Sequence, residues 1–156
     1  MASQAAGFLY PRPSFYFSVR IGGCDSDSGF QEVSGLKSEW TMDEEVREGG
    51  QNRFVHKLPL RTKYGNIVLK RGVVGPTSGL SKWLSACFRA DMVRPPLDRR
   101  DLVVLLLGED GNPILKWSVV GAYPVSWDHS ALNSAESNLL VETIELSCDF
   151  FERGRP

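Results

Sequence analysis

Apolar and polar residues alternate along several stretches of the chain, and this alternation predicts β-strands. The clearest stretch runs from Phe15 to Ile21, where apolar residues at the odd positions alternate with Tyr, Ser and Arg at the even positions. Such a period of two is typical of a strand with one buried face. The period returns from Leu36 to Met42, where Trp40 shares the apolar face. Further strands are predicted around Phe30 to Val33 and from Asn66 to Arg71.

One segment departs from this β pattern. Its apolar residues follow the i, i+3, i+4, i+7, i+8 spacing of an amphipathic helix; they are Leu80, Trp83, Leu84, Cys87 and Phe88. Ser78 is a suitable N-cap because its hydroxyl can accept a hydrogen bond from a free backbone amide. Pro95 and Pro96 prevent the helix from continuing much further. The sequence therefore predicts one α-helix over about residues 79–90.

A β-hairpin is predicted in the second half of the chain. Strands over Asp101–Leu107 and Ile114–Val120 flank Asp110-Gly111, a pair that favours a type I′ turn with positive φ at both central residues. The apolar run from Leu102 to Leu107 is unbroken. A strand with one solvent-exposed face would alternate apolar and polar residues, so this unbroken apolar run predicts burial on both faces.

The fold class follows from these elements together with a short strand that ends at Trp127 and a last strand from Leu139 to Cys148. We predict a mainly β fold, either a small antiparallel β-barrel or two packed sheets, with one peripheral α-helix. We expect an extended N-terminal arm over residues 1–14, a β domain over residues 15–150 and a short C-terminal tail over residues 151–156. Pro11 and Pro13 favour the extended arm, since proline restricts φ and donates no hydrogen bond.

The segment from Arg47 to Lys57 shows no clean period. It contains Gly49-Gly50, scattered charges and the aromatic residue Phe54. We interpret it as a long loop or a protruding hairpin, and long loops in compact domains are usually functional.

Composition narrows the classes of function. The chain has 156 residues, 42% hydrophobic and 24% charged, which is typical of one soluble globular domain. Its formal net charge of −1 argues against a protein whose main function is to bind nucleic acid, because neutralising the phosphates requires an excess of basic residues. No apolar run approaches the ~20 residues that span a bilayer, and residues 1–13 lack the pattern of a secretory signal. We therefore expect synthesis and assembly in the cytoplasm.

No pattern predicts an active site, a cofactor site or a metal site. Asp25 and Asp27 lack the spacing of an EF-hand loop, and the glycines before the helix lack the Gly-Lys-Ser/Thr of a phosphate-binding loop. The consecutive residues Asp128-His129-Ser130 cannot form a hydrolase relay. We therefore expect a protein that is not an enzyme and that carries no cofactor and no metal.

The positions of the cysteines and tryptophans lead to two further predictions. The three cysteines form no C-x-x-C pair, and their odd number predicts reduced thiols. The four tryptophans are expected in the core, with some serving as interface anchors; they are Trp40, Trp83, Trp117 and Trp127.

Several short strings occur in a specific order. Residues 30–36, FQEVSGL, fit the pattern F-x-E-V-S-G-L, and residues 47–52, REGGQN, fit R-E-G-G-x-N. The series continues with Lys57-Leu58-Pro59, Lys63–Asn66, Leu69–Gly72, Trp83-Leu84, Gly111–Trp117, Gly121–Val125 and Glu142–Leu146. From about Phe15 to Leu146 the chain thus resembles the tail tube protein family of contractile phages and contractile injection systems.

This resemblance implies a small β fold similar to the type VI secretion tube subunit. It implies a structural subunit of the inner tube: hexameric rings, joined sheet edge to sheet edge, would stack into a channel for payload delivery. The implied partners are further copies of the chain, contractile sheath subunits, baseplate and spike proteins, a cap or terminator protein, and a payload of protein or DNA. It implies no catalysis and no membrane insertion.

The resemblance also implies a contact site in the loop of the first half of the chain. In the family this loop, here about Glu45 to Lys57, reaches into neighbouring subunits or the adjacent ring. The interface residues implied in this way are Glu45, Arg47, Glu48, Gly49, Gly50, Asn52, Arg53 and Phe54.

Other functions stay open at this point. The proline-bearing arm before Phe15 and the tail from Phe150 to Pro156 fit no family motif, so the chain could form a tube-initiator, baseplate or cap adaptor ring of the same fold. Outside this class, a small ligand-binding β-barrel or an effector carried by such a machine is the remaining hypothesis. A ligand-binding barrel would need polar groups that converge on a pocket.

Overall fold

The computed structural model describes residues 16–24, 29–42, 58–73, 75, 77–89, 91, 93, 97–133 and 138–156. Within these ranges it has nine strands and one helix. The elements are β1 Phe17–Ile21, β2 Phe30–Ser34, β3 Ser38–Met42, β4 Pro59–Tyr64, β5 Ile67–Gly72, α1 Gly79–Cys87, β6 Arg100–Leu107, β7 Pro113–His129, β8 Val141–Ser147 and β9 Phe150–Gly154.

Seven of the strands build two antiparallel layers that share one long strand. The first sheet has the order β1-β6-β7-β9 and uses the first part of β7. The second sheet has the order β7-β8-β5-β2 and uses β7 from Tyr123 onward. Because β8 and β9 follow each other and both pair with β7, the last part of the chain accompanies β7 through both sheets. Strand β9 begins at Phe150, and the sequence prediction places the end of the β domain at the same residue.

Strand β7 changes sheets at Gly121. This residue has a φ of +67°, and a Cβ there would lie only 2.3 Å from the Oδ2 atom of Asp149. The Gly121 backbone N–H donates to the Asp101 carboxylate at 3.0 Å. Glycine is needed here because the left-handed φ and the close carboxylate both exclude a side chain.

The two sheets face each other across one hydrophobic core. Alternate residues of each strand point inward, as a period of two requires. The core residues are Val19, Ile21, Leu102, Val104 and Val119 from the first sheet and Ile67, Leu69, Ile144 and Leu146 from the second. Within the described residues the sheets stay open and do not close into a barrel. The mainly β fold with one helix is therefore confirmed, in the form of packed sheets.

Helix α1 closes one side of this core. The Ser78 hydroxyl accepts a hydrogen bond from the Ser81 N–H at 3.1 Å, which confirms the predicted N-cap. Leu80, Trp83 and Leu84 are buried. The helix ends at Cys87, somewhat before residue 90, because the Phe88 backbone leaves helical geometry as its N–H makes a last bond to Leu84.

The predicted β6–β7 hairpin is present, but its turn differs from the type I′ expectation. Among the described residues only glycines have positive φ, so Asp110 does not adopt the predicted conformation, whereas Gly111 does with a φ of +78°. The turn is longer than two residues, and a hydrogen bond closes it: the Gly108 N–H donates to the Asn112 carbonyl at 2.8 Å. Asp110 instead accepts hydrogen bonds from the backbone and side chain of Asn112, and these bonds stabilise the longer turn.

The apolar run of β6 is buried unequally on its two faces. Leu102 and Val104 belong to the core. On the opposite face Leu105 is also buried, whereas Val103 is only half-buried. Burial on both faces is thus confirmed only in part, because no second layer of the chain covers the outer face in the described residues.

The three cysteines are free, as the sequence predicts. Burial raises the pKa of the Cys87 thiol and of the Cys148 thiol. A raised pKa disfavours the thiolate, which is the reactive form of cysteine.

Candidate subunit interface

Strands β3 and β4 form a two-stranded ribbon that stands apart from both sheets. Trp40 pairs with Thr62 and Ser38 with Tyr64. Every residue of the ribbon except Tyr64 is exposed. Isolated two-stranded ribbons are only marginally stable in water, so this one is expected to rest on a partner surface.

One face of the ribbon is apolar although it faces solvent. Trp40 is 59% exposed, and Met42, Leu58 and Leu60 are each more than half exposed. Because Trp40 pairs with Thr62, Leu60 lies on the same face of β4, two residues away. The expectation of core packing is wrong for Trp40, since the ribbon carries it away from the core, whereas Trp83 is buried. A cluster of exposed apolar side chains of this kind marks an interaction site.

The base of the ribbon is held tightly. Gly35 has a φ of +83°, and a Cβ there would lie 1.9 Å from the Asn66 carbonyl oxygen. The Gly65 N–H donates to the Lys37 carbonyl at 2.8 Å. The Tyr64 ring meets the edge of the Phe151 ring with centroids 5.1 Å apart. The ribbon thus projects from a fixed base.

The opposite face of the ribbon is charged. Lys37 and Glu39 form a salt bridge at 2.7 Å, and this hydrogen bond with Lys37 is the main cause that lowers the pKa of Glu39. Both groups are exposed, so the bridge adds little stability. In the described part of the chain, Arg61 and Lys63 have no ion-pair partner. Lys63 lies opposite Glu39 in the register and contributes to lowering the pKa of that carboxylate, and the described residues of this face carry more positive than negative charges.

The interface residues implied by the resemblance lie outside the described residues. They are Glu45, Arg47, Glu48, Gly49, Gly50, Asn52, Arg53 and Phe54. In the chain they connect β3 to β4, the two strands of the ribbon. Their role stays a prediction.

Sequence reasoning missed β4. The signal was the alternation of Leu60, Thr62 and Tyr64 with Arg61 and Lys63.

Among the described residues, the first sheet ends in two edges without a pairing strand, β1 on one side and β9 on the other. The Leu107 N–H donates to the Tyr16 carbonyl and the Gly22 N–H to the Asp101 carbonyl. In an antiparallel pair, hydrogen-bonded positions alternate. The backbone groups of Phe17 and Val19 therefore point away from β6, toward the open edge. Such an edge readily pairs with another strand.

An apolar groove lies between β2 and the first sheet. It is lined by Phe17, Gln31, Glu32, Val33, Leu36, Val104, Leu106 and Trp117. The Glu32 carboxylate at its rim is bound by Lys70 at 3.0 Å. A small-molecule site needs polar groups that converge on a ligand. This groove fits an apolar contact better.

A buried ion pair joins the second sheet to the helix. The Arg71 Nε–H donates to the Glu142 Oε1 atom, and both side chains are almost fully buried. The Trp127 indole N–H donates to the other Glu142 oxygen at 2.9 Å. Arg71 also reaches the hydroxyls of Ser78 and Ser81 at the start of α1, each at 3.4 Å. Because every charge in the pair has polar partners, this cluster positions the helix.

The described residues hold no group of three or more potential metal ligands. The His129 Nε2 atom lies 3.9 Å from Glu142, which is already bound to Arg71 and Trp127. Asp128, His129 and Ser130 are consecutive on or just after β7 and form no nucleophilic relay. In the part of the chain that the structure describes, no helix is long and apolar enough to cross a membrane. The most conspicuous surface features of the described residues are the ribbon, the sheet edges and the groove.

Several solved structures have the same fold. In the baseplate of the anti-feeding prophage, one chain is 25% identical, with a TM-score of 0.80 over 94% of this chain and 97% of that chain. A chain of the PVC sheath–tube complex, from an extracellular contractile injection system, is 23% identical with a TM-score of 0.78, over 99% and 100% of the two chains. Hcp1 from Flavobacterium johnsoniae is 19% identical with a TM-score of 0.53, over 91% and 97%.

A comparison with protein-family models assigns the chain to a family. A direct comparison with curated proteins finds no match. The family model described as T4-like virus tail tube protein gp19 matches residues 13–152, which is most of the chain. The chain therefore belongs to the T4-like virus tail tube protein family and is a structural tube subunit.

Proposed function

We propose that the chain forms hexameric rings that stack into the channel of a contractile injection system or phage tail. The observation that carries this proposal is that β1 and β9, on opposite sides of the first sheet, are open edges in the part of the chain that the structure describes. An unpaired edge is a liability unless another strand covers it. A ring covers both edges of every copy with the same contact.

The strand directions suit such a ring. Each neighbouring pair in β1-β6-β7-β9 is antiparallel. With four strands, β9 of one copy then runs antiparallel to β1 of the next in a cyclic arrangement. Both edge strands have five residues. The first sheets of all copies would thereby join into one continuous antiparallel wall.

The outer face of the first sheet would line the channel in this arrangement, since the second sheet and the helix cover the inner face. Arg20 and Glu152 belong to this outer face, in one row with Val103 and Ser118. Because this row carries charges of both signs, the channel wall would not attract a charged payload strongly.

The relatives support a set of partners. Their structures are those of a baseplate, a sheath–tube complex and a tube-terminating cap. These relatives support contacts of this chain with sheath subunits, with baseplate or spike proteins and with a cap or terminator. We propose that a payload of protein or DNA passes through the channel and that the chain itself performs no catalysis.

Ring formation can be tested on a single backbone amide. Phe17→Pro removes an N–H that points away from β6, so the fold within one copy keeps its hydrogen bonds. Phe17→Ala is the matched control because it also removes the aromatic ring but keeps the N–H. We expect Phe17→Ala to form rings and Phe17→Pro to stay monomeric in negative-stain electron microscopy and sedimentation. Circular dichroism checks that both variants fold. Wild-type ring yields for Phe17→Pro would show that β1 does not pair between copies.

A second candidate is an initiator or adaptor ring of the same fold. The baseplate and cap relatives support it as well as the sheath–tube relative supports the repeating subunit, since their TM-scores of 0.80 and 0.77 are similar to its 0.78. A repeating subunit polymerises into long stacks at high concentration, whereas an adaptor stops at a single ring. The lengths of the particles in micrographs of the purified protein separate the two.

A further inference from the structure

The apolar groove between β2 and the first sheet opens at the edge strand β1. Phe17, the first residue of β1, lines the groove together with Leu106, Trp117 and part of β2. A strand that paired with β1 would lie about 5 Å from it, beside the mouth of the groove. Among the described lining residues Glu32 carries the one charge, and its side chain is half exposed. The groove thus combines apolar walls with an acidic rim.

The opposite edge of the same sheet carries a positive charge on its inner face. Arg153 of β9 lies opposite Trp117, and Trp117 lies opposite Val104. Directly opposite residues share a face of the sheet, and Val104 belongs to the core, so Arg153 lies on the inner face. Its side chain is exposed and forms no ion pair within the described residues. Such a charge on an edge strand hinders pairing with any partner that cannot neutralise it.

The hydrogen-bond pattern limits how β9 of one copy can pair with β1 of the next. The backbone groups of Phe17 and Val19 point to the open edge of β1, as described above. Continued across β6 and β7, the same alternation bonds Glu152 to β7 and directs the backbone groups of Phe151 and Arg153 to the open edge of β9. The two registers that overlap the five-residue strands most fully place Arg153 opposite either Phe17 or Val19. In both registers Arg153 lies on the inner face beside Phe17, at the mouth of the groove.

We propose that the groove receives Arg153 of the neighbouring copy in a ring. This inference rests on the proposed function, because it names the side-chain contact that accompanies the pairing of β9 with β1. The aliphatic stem of Arg153 lies along the apolar walls, and its guanidinium binds the Glu32 carboxylate at the rim. Glu32 is already bound by Lys70, but a carboxylate has about four lone-pair sites and can accept hydrogen bonds from both cations.

This contact gives the joint between two copies its selectivity. Main-chain hydrogen bonds between edge strands are the same for every sequence, whereas a side chain that must fit a pocket discriminates between partners. Arg153 disfavours the pairing of β9 with a strand that has no acidic group beside it. The groove therefore directs β9 to β1 of a second copy of this chain and away from unrelated strands.

Charge reversal on each side of the contact provides the test. One variant is Arg153→Glu. The other is Glu32→Lys with Lys70→Glu, which reverses the charge at the rim and keeps an ion pair between positions 32 and 70. In either variant alone like charges meet at every joint, so ring assembly should need at least about tenfold more protein than for the wild type.

The two variants should rescue each other when they are mixed in equal amounts. Every joint between unlike variants again brings opposite charges together, so rings that alternate the two variants should form at the wild-type concentration. A hexamer allows this alternation because its number of copies is even. Sedimentation velocity measures the yield of rings, and native mass spectrometry counts the copies of each variant in them.

A matched control separates this effect from a general change in charge. Lys116 lies opposite Gly154 on the other face of the sheet, so Lys116→Glu has the same change in charge as Arg153→Glu but does not reach the groove. It should assemble like the wild type. None of the substituted side chains belongs to the core, so stability should change little, and thermal unfolding of each variant checks this.

Two outcomes overturn the proposal. The first is that either variant alone forms rings at the wild-type concentration. The second is a mixture that assembles no better than its components while the wild type and Lys116→Glu form rings. If the wild type forms no rings at all, the proposed function fails, and sedimentation still tests the contact: association between the two variants that neither shows alone supports it, and its absence rejects it.

Discussion

The Arg71–Glu142 pair places two charges inside a small hydrophobic core. Burying charges is costly, and the cost is recovered only when every polar atom finds a partner. Here the partners come from the helix N-terminus and from Trp127 on β7. The pair therefore fixes the angle at which α1 lies on the second sheet.

Removing one charge of this pair should be far more damaging than removing an exposed one. We expect Glu142→Gln to lower the free energy of unfolding by about 3–5 kcal/mol, because it leaves Arg71 buried and uncompensated. The matched control is Glu32→Gln, whose carboxylate forms an exposed pair with Lys70 and should cost at most about 1 kcal/mol. Urea unfolding followed by circular dichroism measures both. Equal losses for the two variants would mean that Glu142 has no special structural role.

Among the elements, the ribbon depends on one glycine at its base. Gly35 and Gly111 both have positive φ, +83° and +78°, but only at Gly35 would a Cβ collide with backbone. Gly111→Ala should therefore cost only the strain of a left-handed alanine, about 1–2 kcal/mol. Gly35→Ala should cost more and should also displace the ribbon, which would shorten stacks. Urea unfolding and micrographs of the two variants test this, and equal behaviour would show that the base of the ribbon is not rigid.

Local patterns predicted the elements whose partners are near in sequence or whose core face is unambiguous. The alternation around Val19, the helical stripe from Leu80 and the position of the hairpin around Gly111 are of this kind, although the type of its turn was not predicted. Strand β4 was missed because Pro59 and an aperiodic preceding segment hide its alternation. For the ribbon, the pattern around Trp40 did indicate an apolar face. It could not show that this face turns to solvent, because the same alternation describes a strand packed on its own core and one that packs on another chain.

The contacts between elements could not be predicted, for a different reason. Strand pairings such as β5 with β8 join residues far apart in the sequence. Nothing local specifies them. The sequence also suggested two strands, one over Ile114–Val120 and a short one up to Trp127, where the structure has the single strand β7. The open edges at β1 and β9, which carry the proposed ring contact, follow only from the complete set of pairings.

At the scale of the whole molecule, assembly should bury a tryptophan that a single copy exposes. Trp40 is 59% exposed in the isolated chain, whereas Trp83 is buried in the core. We expect the tryptophan emission to shift to shorter wavelength as rings stack, because Trp40 leaves water. Trp40→Phe keeps an aromatic anchor and should stack with little or no shift. A full shift in this variant would assign the signal to another tryptophan.

Strand β7 gives the two layers of each subunit a mechanical connection. Its 17 residues run through both sheets without a break. Layers that only pack against each other are held by non-covalent contacts, each worth about 0.1–0.2 kcal/mol per atom pair. Here a sideways load on either layer is carried as tension along covalent bonds. A subunit of this design would transmit the thrust of a surrounding machine to its inner wall without coming apart between the layers.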